Sequence, residues 1–257
     1  VDLNSIPAPE IDDRRTEELR TRLAAVHERI DRAVEQAGRT ERPELIVVTK
    51  FFPAEDVLRL LRLGVRDVGE NRDQEAAVKA EQVARLVTAH EAAGPAVRLE
   101  LPRWHFVGQL QSKKARSVAR YASTVHSVDR TSLLRSLRTA ADPASPLECL
   151  IQVDLREEIP EDSRGGAAPS EVPALAEGIE SAEGLRLAGV MAVAPLGEPA
   201  APAFARLAEL SALMRVDHPQ ADMISAGMSN DLEDAVAHGA THLRIGRDVL
   251  GNRPLPR

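Results

Sequence analysis

Eight short apolar runs, each parted from the next by a segment of helical periodicity, recur between residues 45 and 246 of this 257-residue chain. They lie at 45–50, 66–69, 104–108, 124–128, 148–154, 186–193, 222–226 and 242–246. Runs rich in β-branched residues mark strands buried on both faces, and such strands belong to parallel sheets covered by helices. The helical patterns between them fall near 54–63, 73–92, 112–121, 130–140, 170–180, 200–215 and 230–238. This alternation, in a chain of this length, predicts an α/β fold: a single closed (β/α)8 TIM barrel. An open doubly wound sheet is the competing arrangement, but it lacks the glycine fingerprint expected after its first strand.

An extra helix precedes the barrel. Thr16 is placed to cap it, Glu17 and Glu18 occupy its first turn, and Leu19, Leu23, Val26, Ile30, Val34 and Ala37 share one face. Gly38 ends it. Residues 1–11 carry two prolines and no periodic pattern, so they read as a flexible tail, with 12–257 forming one barrel domain. Two loops are long, Gly94–Arg103 and Arg156–Pro169. The second follows the C-terminal end of a strand, the functional face of such barrels, and suits either a lid or a tolerated surface insertion. The formal charge of −7 gives no support for a nucleic-acid partner. No apolar stretch approaches the roughly 18 residues of a membrane span, and no signal-peptide pattern is present. A cytoplasmic monomer is expected. Cys149, the single cysteine, sits in an apolar run and reads as a buried, inert thiol.

Lys50 ends the first apolar run, Leu45-Ile46-Val47-Val48-Thr49-Lys50. A lysine emerging there is a candidate nucleophile, because a desolvated amine loses its proton more readily and only the neutral form attacks a carbonyl. The bland alternative is a lysine whose head snorkels to water. Gly69-Glu70-Asn71 ends the second strand and offers an acceptor and an amide. His105, on the third, reads better as a hydrogen-bonded core histidine than as a base. Lys113, Lys114, Arg116 and Arg120 read first as a solvated helix face and second as an anion site. Ser225, Gly227, Met228 and Ser229 precede a helix starting near Asn230-Asp231, and Gly246 follows the eighth strand. Loops after strands seven and eight are where barrels commonly hold phosphate. An amine on one strand and a phosphate cradle on two others suggest a phosphorylated aldehyde held as an imine.

These segments carry a resemblance. VVTK at 47–50, GEN at 69–71, HFVGQLQSKK at 105–114, SAGMSND at 225–231 and LRIG at 243–246 resemble the YggS/PROSC family of pyridoxal-phosphate-binding homeostasis proteins, which have the barrel of alanine racemase. The match runs from about residue 16 to 254 in unbroken motif order. It implies pyridoxal 5′-phosphate (PLP) held as a Schiff base on Lys50. Ser225, Gly227, Met228, Ser229, Gly246 and Arg247 would surround the phosphate, Arg244 would face the pyridine nitrogen, and Asn71 would lie beside the ring. The chain departs from the family pattern at Arg72, where an aromatic is usual, and at Lys113, where Asn is usual. It departs again at Ser163-Arg164-Gly165-Gly166 and at the closing GRDVLG.

The resemblance implies storage of PLP and its transient delivery to apo-enzymes. A PLP enzyme needs a protonated pyridine nitrogen and a second acid–base group opposite the lysine. A guanidinium at Arg244 would donate to that nitrogen instead of protonating it. In alanine racemases the second group comes from a separate C-terminal domain, for which the chain past the eighth strand leaves no room. Tyr121, the single tyrosine, is a weak substitute. A low-activity amino-acid racemase and a phosphosugar-binding barrel enzyme remain as alternatives.

Overall fold

The structure, a computed structural model, describes residues 13–94, 98–156 and 165–253. Its strands are β1 Glu44–Val48, β2 Asp67–Glu70, β3 Arg103–Phe106, β4 Thr124–Val128, β5 Leu147–Gln152, β6 Leu185–Met191, β7 Met223–Ser225 and β8 His242–Ile245. They pair in parallel in chain order, and β8 returns to β1, so the sheet closes on itself. The open doubly wound sheet is excluded. Alternating with the strands are α2 Ala54–Arg62, α3 Asp73–Ala92, α4 Ala115–Val118, α5 Thr131–Ala140, α6 Val172–Glu180, α7 Ala200–Asp217 and α8 Leu232–Ala237. The extra helix α1, Arg14–Gln36, comes first, and a four-residue turn of helix, α9 Arg247–Leu250, follows β8.

Strand geometry sends successive side chains to opposite faces, which splits the core into two layers. Leu45 and Val47 face outward into one large apolar cluster that includes Leu58, Leu61, Leu133, Ile179 and Leu243. Inside the barrel, Leu150, Ala188 and Met191 form a separate small cluster with Met223. Ile46 and Val48 also point inward, packing over Gly69, where a Cβ would come within 3.2 Å and 3.3 Å of their methyls. The interior of β2, β3, β4 and β8 is polar instead, occupied by Asp67, His105, His126 and Arg244, all buried. Cys149 is wholly buried and its thiol is pushed up to about 12, as an inert core cysteine should be.

Three sequence expectations are corrected. The α1 cap is Asp13, not Thr16: the Asp13 carboxylate accepts from the Thr16 amide at 2.7 Å and from its hydroxyl at 2.9 Å. Thr16 therefore lies inside the first turn, because a carboxylate three residues upstream satisfies its free amide. The helix expected over 112–121 is a 3₁₀ turn, Ser112–Lys114, running into the short α4. The chain must turn back early, because the Ser123 amide already donates to Trp104 O as β4 begins. The helix expected from residue 230 starts at Leu232, since Asp231 is occupied in closing the turn before it. The tail reading of residues 1–11 and most of the 156–169 loop lie outside the described residues. The described end of that loop is pinned to the sheet, with Ala167 bridging Val153.

Asp13 also accepts from Arg59 on α2, so it ties the start of α1 to the barrel. Replacing Asp13 with Ala is expected to lower the unfolding free energy by about 1–2 kcal/mol, with Asn, itself a good cap, losing less. Urea denaturation of the two variants checks this; equal losses would show that the ion pair matters and the cap does not.

Candidate functional site

Parity along β1 decides where Lys50 goes. Ile46 and Val48 face the barrel interior, so Lys50, two residues on, emerges at the inner edge of the mouth at the C-terminal end of the strands. It is half-buried, and among the described residues no carboxylate lies within ion-pair distance of its amine. Thr49, of opposite parity, is wholly buried behind it: its hydroxyl donates to Glu70 Oε1 at 2.7 Å. Lys79 of α3 donates to the same oxygen at 2.6 Å and to Thr49 O at 2.8 Å. Glu75 completes the group, 3.3 Å from Lys79, and accepts from the Phe51 amide at 2.5 Å. That last bond holds Phe51 at φ +71°, a left-handed conformation costly for a bulky residue. Directly after Lys50, then, a strained turn is held in place by a buried charge cluster.

Glu70 thus faces the helix layer and not the mouth, against the expectation that it offers an acceptor there. Asn71 does reach the mouth region: it is half-buried and its side-chain carbonyl has no hydrogen-bond partner. Its backbone is crowded by Gly108, where a Cβ would stand 2.2 Å from Asn71 O, so only glycine fits there. Arg72 lies over the Phe51 ring at 5.5 Å from its centroid, and Arg253 lies over the same ring at 3.8 Å.

Arg244 faces inward on β8, in register with Ile46. Only 5% exposed, it donates to Ser225 Oγ at 2.7 Å and to Ala192 O at 2.8 Å. Glu70 is taken by Lys79, and no carboxylate makes an ion pair with Arg244 among the described residues. Burial draws its guanidinium down to about 10, opposed by Asp231, so it stays a cation at neutral pH. A buried cation without an anion or a full set of acceptors is unusual and marks a place for a ligand acceptor.

The loops after β7 and β8 complete the mouth. Gly227 sits at φ +92° with Ala235 and Leu243 so close that a Cβ would clash at 2.6 Å and 2.8 Å. The Met228 amide donates to Asp231 Oδ1 at 2.6 Å, so a carboxylate already occupies that anion-seeking group. Ser229 is half-buried, while Met228 and Arg247 are exposed. At Gly246 a Cβ would stand 3.1 Å from Val48 O, so the missing side chain lets the chain pass close to β1. Arg29 of α1 braces both loops: it donates to Ser229 O at 2.8 Å and pairs with Glu233 at 2.6 Å and Asp248 at 3.2 Å.

Four consecutive strands, β7-β8-β1-β2, therefore bring Ser225–Ser229, Arg244–Arg247, Lys50 and Asn71 to one end of the barrel. Ser225 differs from the other phosphate-loop candidates, being wholly buried with its hydroxyl engaged by Arg244 and His126. His105 is a buried, hydrogen-bonded core histidine, as expected. Lys113, Arg116 and Arg120 are exposed, and Lys114 pairs with Asp73 at 3.3 Å. Sequence reasoning missed Arg29, Glu75, Lys79 and His126. Only His126 left a trace, as a histidine inside the strand run Val125-His126-Ser127-Val128.

Comparison with known proteins decides the family. The family described as alanine racemase, N-terminal domain, matches residues 21–254. A pyridoxal phosphate homeostasis protein of Mycobacterium tuberculosis is 41% identical over 94% of this chain and 95% of its own length. The chain belongs to the pyridoxal phosphate homeostasis protein family. An Escherichia coli member is 34% identical over 90% of this chain and 95% of its own. PipY of Synechococcus elongatus, solved with PLP bound, superposes with a TM-score of 0.69 at 29% identity, over 91% of this chain and all of that one.

Removing Lys79 leaves Glu70 buried without its cation, and burial already holds that carboxyl above the usual range. Lys79→Met is expected to cost about 3–5 kcal/mol in denaturant unfolding, the range for breaking one partner out of a buried pair. The double variant Lys79→Met/Glu70→Gln should recover most of that loss; no recovery would show that packing, not charge, is what the pair supplies.

Proposed function

We propose that this family member binds PLP at the C-terminal mouth of the barrel and holds it covalently on Lys50. Its role is intracellular cofactor homeostasis, through storage and transient delivery to apo-enzymes by a cytoplasmic monomer. One observation carries the site assignment: among the described residues, a half-buried amine without an ion pair stands one strand away from a buried guanidinium that lacks an anion. Lys50 needs an electrophile, and Arg244 needs an acceptor.

When bound, PLP supplies an aldehyde, a pyridine nitrogen able to accept a hydrogen bond, and a phosphate. The chain's residues fit all three. Lys50 is the nucleophile for the aldehyde carbon. Arg244, a cation at neutral pH with donors only, fits an unprotonated ring nitrogen. Asn71, with an orphaned carbonyl, stands ready for a polar ring substituent. Gly227, Ser229, Gly246 and Arg247 form the phosphate end, and Met228 joins them by its backbone once Asp231 yields its amide. Ser225 serves the ring end through Arg244.

Holding the ring nitrogen by donation, without protonating it, would weaken the electron sink, which favours a carrier over a transaminase. Tyr121 is poorly suited to act as an acid–base group: its hydroxyl is buried without a hydrogen-bond partner, and burial beside Asp73 and Glu70 pushes it far above its usual range.

Titration with PLP, followed by the change in visible absorbance, is expected to saturate at one molecule per chain. Ser229→Ala should weaken binding by about 1–3 kcal/mol, the cost of a lost contact to a charged group. Incubating the loaded protein with L-alanine, followed by chiral product analysis, should show no sustained turnover. Pyridoxal binding as tightly as PLP would remove the phosphate end from the proposal, and multiple turnovers lost in Lys50→Ala would make the protein an enzyme.

A further inference from the structure

A chain of hydrogen bonds crosses the barrel interior from the mouth to the opposite end. Arg244 Nη1 donates to Ser225 Oγ at 2.7 Å, and that oxygen lies 2.9 Å from His126 Nδ1. His126 Nε2 lies 2.9 Å from His105 Nδ1, and His105 Nε2 lies 2.8 Å from Asp67 Oδ1. Asp67 also accepts from Arg103 at 2.7 Å. Ser225 and both histidines are at most 4% exposed. The far end opens on a cavity of about 250 Å³ at the N-terminal face, lined by Asp67, Arg103, His105, Glu148 and His242 among others.

With both rings neutral, the direction of every hydrogen in this chain follows from its two ends. Arg244 can only donate and the Asp67 carboxylate can only accept. Ser225, having accepted from Arg244, has one hydrogen to give, and His126 Nδ1 can receive it. His126 then carries its proton on Nε2 and donates to His105 Nδ1, and His105 donates from Nε2 to Asp67. Each atom is used once, with both rings neutral. Burial above all holds His126 well below its ordinary range, in keeping with a neutral His126. Reversing the direction would point a His105 lone pair at the Asp67 carboxylate or require an extra proton on His105.

We infer that His126 and His105 are positioning residues: by committing the Ser225 hydrogen toward Asp67, they keep Ser225 an acceptor for Arg244 and fix the guanidinium that faces the cofactor ring. Ser225 is then not a phosphate donor, and the ring end of the site is anchored on the opposite face of the barrel. The part of this inference that concerns the ring rests on the PLP-binding proposal; the ordering of the hydrogens does not.

Two measurements separate these parts. Long-range ¹H–¹⁵N correlation of the histidine rings in cofactor-free protein should show His126 and His105 neutral, each protonated on Nε2. The groups facing them are Asp67, Arg103, Glu148, His242 and Arg244. A His126 ring protonated on Nδ1 would overturn the inference, whether or not the protein binds PLP. In PLP-loaded protein, His126→Asn keeps an acceptor near the Nδ1 position, whereas His126→Gln keeps only a group near Nε2. The pH midpoint of the bound chromophore should stay with wild type in the Asn variant and move by roughly one pH unit in the Gln variant. A wild-type midpoint in a folded His126→Gln protein would show that the chain stabilises the barrel without setting Arg244. A correct ring assignment with no chromophore at all would retire the PLP proposal and leave the relay intact.

Discussion

Closure of the sheet between β8 and β1 is the constraint on which the site depends. The register Ile46↔Arg244 fixes which residues of the two strands share the interior, and the two-residue repeat carries that choice to Val48, Lys50 and Gly246. A slip of one residue would turn Lys50 into the helix layer and Thr49 into the mouth. The outward side of β1 guards against such a slip. Thr49 is bonded through both its hydroxyl and its carbonyl to the Glu70–Lys79 pair, an arrangement available only in this register. The strained Phe51 turn, held by Glu75, then redirects the chain away from the mouth immediately after the amine.

Two buried cations in this barrel have contrasting surroundings. Lys79 has its charge answered by Glu70 and Glu75, so it is complete without a ligand. Arg244 has only a hydroxyl and a carbonyl, both neutral. Leaving a guanidinium so poorly answered costs stability, a cost that a ligand acceptor placed beside it would recover. The helix α1 contributes to the same site from outside the barrel, because Arg29 joins the loops after β7 and β8 through Ser229 O, Glu233 and Asp248.

The architecture was legible because each strand is a run of apolar residues and each helix carries its own period, signals local in sequence. The strand-end positions of Lys50 and Gly246 were legible for a related reason, since position at a strand end can be read from the run itself. Glu70 was misjudged because its orientation depends on where β2 stops alternating, which the short run 66–69 does not reveal. Arg29 and Lys79 were invisible: each is one polar residue on a long helix, and only the packing of α1 and α3 shows which of them meets a loop or a buried carboxylate. Asp13 was passed over for Thr16 because both are good caps, and the choice turns on the Asp13–Arg59 contact across to α2.

The central claim is that the amine placed by the β1 parity is the one that holds the cofactor. Borohydride reduction of the PLP-loaded protein, followed by peptide mapping, tests it directly. The account expects a single pyridoxyl group on the peptide containing Lys50 and none in Lys50→Ala. Stoichiometric label on Lys79, Lys113 or Lys114 instead would contradict it.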